Sequence, residues 1–105
     1  MIHVIATVEV AEGRRDDFLD RFGRVVPLVR AETGCLEYGP AIDAATDIAA
    51  QQPVRDNVVV VVEQWESLEA LNDHLVAPHM AEYRTSVKDL VVSTSLRVLE
   101  PLDVS

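Results

Sequence analysis

The chain has 105 residues, half of them apolar and only four glycines, which suits one domain with a packed core and excludes disorder or low complexity. Nine basic residues against eighteen acidic ones leave a formal charge of −9, the wrong sign for a phosphate backbone or an anionic membrane surface. Its longest uninterrupted valine run, Val58 to Val62, is far too short to span a bilayer.

The opening M-I-H-V-I-A-T-V-E-V lacks a basic start and turns polar early, which is not the pattern of a signal peptide, so a cytoplasmic location is expected. Residues 2 to 10 alternate as a strand, with Ile2, Val4, Ala6, Val8 and Val10 on one face and Ile5 and Thr7 on the other. From Gly13 the period changes. Phe18, Phe22, Val25, Val26 and Val29 recur at three- and four-residue steps, opposite Arg14, Arg15, Asp16, Asp17, Asp20, Arg21 and Arg24, which predicts an amphipathic helix. Pro27 should kink it or start a fresh turn, and Gly34 should end it in the left-handed region.

A second strand is expected from about Cys35 to Ile42, at an edge or bulged because of Gly39-Pro40. Ala44 to Asn57 reads as a loop. The third strand, Val58 to Trp65, is β-branched through its first five positions. Ser67 predicts a helix N-cap, followed by a stripe of Leu68, Leu71 and Leu75. Pro78 suits the first position of another short helix, striped by Met80, Tyr83 and Val87. A last strand is expected from about Val91 to Leu99, before Pro101. The resulting β-α-β-β-α-β order, its second helix broken in two, is an α+β, ferredoxin-like split βαβ with an antiparallel sheet. The first and third strands are apolar on both faces, so something besides the helices must cover the sheet, and a homodimer through the open sheet face is the simplest cover.

Chemistry concentrates between Glu63 and Tyr83. No phosphate-cradling glycine loop, thiol cluster or H-E-x-x-H is present, which argues against a nucleotide cofactor or a zinc centre. His74 and His79 lie five apart, and the break at Pro78 lets either turn to one pocket as a base working near neutral pH. Each could equally be a half-exposed helix residue. Glu63 shares a strand face with Val59, Val61 and Trp65, so its carboxyl needs a partner such as Arg97, an imidazole or a ligand hydroxyl. Trp65 reads either as a core anchor or as a flat wall for an aromatic ligand. Tyr38 and Thr7 are strand residues able to hydrogen-bond inward, and Cys35 reads as a small buried apolar residue.

The segment E-Q-W-E-S-L-E-A-L-N-D-H-L-V-A-P-H-M-A-E-Y, with T-G-C-L-E-Y-G-P before it and S-L-R-V-L-E-P after it, resembles the antibiotic biosynthesis monooxygenase superfamily, and within it the small bacterial quinol monooxygenases. The resemblance covers nearly the whole chain, residues 1–105 as one such domain. It implies a dimeric α+β barrel that oxidises a quinol or other polyhydroxylated aromatic with O₂ and no cofactor or metal. In that frame His74 or His79 is the base, Glu63 fixes a tautomer or a hydroxyl, and Trp65, Tyr83, Met80, Tyr38 and Thr7 surround the substrate. Haem-degrading relatives use an asparagine on the first strand, and none stands between Met1 and Val10. Relatives that isomerise small phosphorylated carbonyl compounds need cations in the pocket, for which Arg84, Lys88 and Arg97 are candidates. A non-enzymatic dimer that binds an apolar ligand is the remaining alternative.

Overall fold

The computed structural model describes residues 1–104. Four strands, β1 (Ile2–Val10), β2 (Cys35–Ala41), β3 (Val58–Trp65) and β4 (Val91–Leu99), form one sheet in the order β2-β3-β1-β4. Every neighbouring pair is antiparallel. Three helices join them: α1 (Arg15–Arg30), α2 (Leu68–Leu75) and α3 (Pro78–Ser86). The order is the split βαβ anticipated from the periodicities. Among the described residues, no helix is long and apolar enough to cross a membrane.

Alternation decides what each strand side chain sees. Ile2, Val4, Ala6, Val8 and Val10 are buried, and the register pairs the first four with Trp65, Glu63, Val61 and Val59 on the helix-covered side. Phe18, Phe22, Val25, Val26 and Val29 of α1 close over this layer, as their spacing requires. Pro27 interrupts α1 less than expected. It sits in the final turn, where a missing amide forfeits only one bond to the Gly23 carbonyl, and the helix runs on to Arg30. β2 lies at the sheet edge, as Gly39-Pro40 suggested, but its register shifts earlier, between Cys35 and Glu37.

The segment between β1 and α1 and the long connection between β2 and β3 are tied together. Asn57 accepts from the Gly13 amide through Oδ1 and from the Val10 amide through its carbonyl. Asp43 and Arg55 form a two-pronged ion pair across the connection. Ser67 caps α2 by accepting from the Ala70 amide, and Pro78 opens α3. Gly34 adopts a φ of +84°, and a Cβ built on it would lie 2.6 Å from the Cβ of Ala70. Only glycine therefore fits where the turn after α1 crosses α2.

Helix α2 buries a different stripe from the three leucines. Leu71 is buried, but Leu68 is 51% exposed, and His74, at 2%, takes the inward position instead. An imidazole has displaced a leucine from the core-facing row because a partner awaits it inside.

Candidate active site

That partner is Glu32, in the turn between α1 and β2. Its Oε2 lies 2.9 Å from Nδ1 of His74 and 2.8 Å from Nε2 of His79. The break at Ala77-Pro78 is what makes this convergence feasible. On one continuous helix, positions 74 and 79 would diverge, whereas here α2 ends at Leu75 and α3 restarts at Pro78. An ionised carboxylate only accepts, so each of these ring nitrogens donates an N–H to it. The remaining nitrogen of His74, Nε2, then carries the lone pair.

The two imidazoles occupy different surroundings. His74 lines a cavity of about 580 Å³ between the sheet and α2 and α3. Val8, Phe22, Tyr38, Val61, Met80 and Tyr83 supply much of its apolar wall. His79 does not reach this chamber. Its side chain, 24% exposed, stands on the outer side of Glu32 and lines an open groove with Arg21, Arg24 and Glu82. Of the two candidate bases, only His74 faces the cavity. Burial pushes its pKa down while the bond to Glu32 opposes the shift, so the ring is held neutral, the form a base requires.

Glu63 also lines the chamber and is buried, as its strand face implied. The partner is none of those anticipated. Trp65 Nε1 donates to Glu63 Oε1 at 2.9 Å, while Arg97 is paired with Ile5 in the register and so belongs to the opposite face. Burial pushes the Glu63 carboxyl up to about 7, with the indole N–H opposing and the Glu32 charge adding. A carboxyl neutral for much of the time near pH 7 can donate a hydrogen bond as well as accept one.

Trp65 is fully buried and does not form the cavity wall expected of it. Its ring lies behind that of His74, centroids 4.6 Å apart, while its N–H holds Glu63. It therefore positions the two polar groups rather than touching the space they face. Tyr38 and Met80 are buried at the wall, and Tyr83 packs edge-on against Phe22 there. Thr7 does not join them. Strand alternation sends it to the open face, opposite Val60, while its neighbours Ala6 and Val8 line the chamber. Cys35 is half-buried, and burial pushes its thiol up, away from the thiolate form. Arg84 and Lys88 stand at the mouth. Among the described residues, no group of three or more His, Cys, Asp or Glu side chains is arranged to hold a metal ion.

Glu32 escaped the sequence reading because its partners are 42 and 47 residues away and it sits in a turn, where acidic residues are ordinarily solvated. The available signal was indirect: a histidine on an apolar helix face needs a partner, and the turn after α1 is one place the fold delivers a carboxylate.

Comparison with known proteins agrees with this architecture. The family model described as antibiotic biosynthesis monooxygenase matches residues 1–86. The Escherichia coli (strain K12) protein named "Probable quinol monooxygenase YgiN" is 39% identical over 103 residues, covering 96% of this chain and 98% of that protein. The structure of Rv0793 from Mycobacterium tuberculosis superimposes with a TM-score of 0.78 at 28% identity, covering 99% of this chain and 97% of that one. PA3566 from Pseudomonas aeruginosa gives 0.80 at 24% identity, covering 97% and 94%, a likeness of fold. The chain belongs to the antibiotic biosynthesis monooxygenase family.

Proposed function

We propose that this protein is a homodimeric, cofactor-independent monooxygenase that oxidises a quinol or related polyhydroxylated aromatic with O₂. Family membership and the identity to a protein named as a quinol monooxygenase support a monooxygenase. The observation that carries the finer reading is an apolar chamber faced by one imidazole whose Nδ1 is tied to a carboxylate.

Triplet O₂ reacts slowly with closed-shell molecules, but an electron-rich aromatic anion can give it one electron. The protein's share of the work is to take a phenolic proton, hold the ring and keep water out. His74 Nε2 is the base, and Glu32 fixes its tautomer and supports the imidazolium that forms. Glu63, held by Trp65, hydrogen-bonds a substrate oxygen. Tyr38, Met80 and Tyr83 bound the ring. The anion passes an electron to O₂, and the radical pair joins at a ring carbon. That carbon then loses its hydrogen as a proton while the O–O bond breaks and the departing oxygen leaves as water. One oxygen atom enters the ring. The four electrons O₂ requires come in pairs, from the diol becoming a quinone and from the ring C–H becoming C–OH.

The dimer is supported by the open face of the sheet. Ile5, Val60 and Val62 form an apolar stripe there that the chain's own helices do not reach.

Chelator-treated protein, offered a panel of benzo- and naphthohydroquinones in an oxygen electrode, should consume one O₂ per diol and place one ¹⁸O atom in the product. Absence of oxygen uptake with every diol would count against the reading. Arg84 and Lys88 at the mouth favour a second one, an isomerase or epimerase for a small anionic carbonyl compound. It predicts turnover of such a compound without oxygen uptake.

A further inference from the structure

Tyr38 is as deeply buried as the core valines, at 3% exposed, yet it carries a hydroxyl. A buried hydroxyl ordinarily has a partner. Among the described residues no hydrogen bond reaches this oxygen, and the backbone is served separately, the Tyr38 carbonyl accepting from Arg30 Nε at 2.9 Å. No buried side-chain nitrogen or oxygen there is sealed off without a partner, so the hydroxyl opens onto the chamber its side chain lines.

The ring is aimed and held. The register sets Tyr38 directly opposite Glu63, so both side chains share the helix-covered face. Phe22 stacks on the phenol ring with centroids 5.7 Å apart, and the His74 ring meets it edge-on at 5.5 Å. Tyr38, Glu63 and His74 therefore reach the chamber side by side, from β2, β3 and α2. The carboxyl is held by Trp65 and not by Tyr38, so these two neighbours do not satisfy each other.

Their capacities are complementary. With Nδ1 donating to Glu32, a neutral His74 only accepts at Nε2. Burial, with the Glu63 charge adding, pushes the Tyr38 phenol well above its ordinary range, so it keeps its proton and donates.

We infer that the Tyr38 phenol donates a hydrogen bond to the substrate oxygen from which His74 takes the proton, and so holds the resulting phenolate for its reaction with O₂. The role in turnover rests on the oxidation proposed above. The substrate proton moves from its oxygen to His74 Nε2, Tyr38 keeps its own, and the oxyanion then accepts from both. A hydrogen bond to an anion is stronger than one to the neutral phenol, so the donor favours ionisation. It does not neutralise the charge, and the ring stays able to give up an electron. Because Phe22 and His74 fix the phenol ring beforehand, the donor is in place without reorganisation. Tyr83, the other tyrosine of the chain, is less suited, being only part-buried and bordering the outer groove as well as the chamber.

The test compares the binding of two unreactive probes near neutral pH, para-nitrophenol and its methyl ether, para-nitroanisole. Only the first can present an oxyanion. Tyr38→Phe keeps the ring and removes the hydroxyl, and should weaken nitrophenol binding by ~10–10²-fold while leaving nitroanisole binding unchanged. The same loss is expected when Tyr38→Phe is added to Glu63→Gln, where position 63 no longer titrates. The kcat for hydroquinone oxidation should fall by a similar factor. If Tyr38→Phe does not fold, wild type carrying ¹³C at the tyrosine Cζ atoms decides. Its Tyr38 signal, the one that survives in Tyr83→Phe, should move with nitrophenol and not with nitroanisole. An unchanged nitrophenol affinity in Tyr38→Phe, equal losses for both probes, or a loss that vanishes in the Glu63→Gln background overturns the inference. So does a wild type that binds the two probes alike or binds neither. Failure of wild type to take up oxygen with any diol would defeat the proposed reaction alone, because the probes are bound and not oxidised.

Discussion

Val61 and Val62 are consecutive and chemically identical, yet they belong to different environments. Val61 is 3% exposed and lines the chamber, while Val62, at 36%, stands on the open side of the sheet. On the covered side, burial does more than stabilise. It raises the Glu63 carboxyl and lowers the His74 imidazole, shifts of the kind that acid–base chemistry uses. On the open side the same pleat sets the apolar area of Ile5, Val60 and Val62 beside Thr7 and Arg97, outside the helix-covered core. The first surface looks suited to chemistry, the second to association.

Perturbing each side in turn sharpens the contrast. On the covered side, His74→Ala should lower kcat for hydroquinone oxidation by ~10²–10⁴-fold with little change in KM; a wild-type rate in the oxygen electrode would remove the base from the scheme. Trp65→Ala should cost ~3–5 kcal/mol in urea unfolding, because the indole is fully buried behind His74. On the open side, Val62→Lys should leave the fold intact but weaken the proposed dimer by ~3–5 kcal/mol, burying an unpaired charge between the subunits. An undisturbed dimer on gel filtration would refute the sheet-to-sheet arrangement. Val61→Lys, one residue away, is a test of the core and not of the dimer.

Glu63 supplies a prediction with a defined pH window. Its pKa rises from an ordinary 4.5 to about 7, so between those values the folded chain keeps a proton that the unfolded chain has released. Stability from this group is therefore full below pH 4.5 and lost as pH rises through about 7, on the order of 3 kcal/mol in all. Glu63→Gln should flatten the stability curve across that window; an unchanged slope would show that the carboxyl does not titrate there. The smallest effect is expected at the surface, where Ser67→Ala should cost about 1 kcal/mol of thermal or urea stability by removing the α2 cap.

The fold was legible because local signals agreed. The alternation in residues 2–10, the valine run, Ser67 and Pro78 each marked an element or boundary the structure contains. What escaped depended on contacts between distant segments. Nothing near Leu68 says that it will be exposed while His74 turns inward, since that choice is made by Glu32 from across the chain. Glu63 was readable as a buried carboxyl from its place among Val59, Val61 and Trp65, but which neighbour it would meet was not. Thr7 was misplaced for a simpler reason: its own alternation already put it on the face away from Ala6 and Val8.

Gly34 stands two residues beyond Glu32 and presses against Ala70, four residues before His74. A methyl group there would wedge the turn away from the helix, lengthening the gap between carboxylate and ring without altering either. The aim of the proposed base thus depends on a place where a side chain is missing, outside the chamber lining. Enlarging this residue would detune the proposed chemistry from behind, without touching the pocket lining.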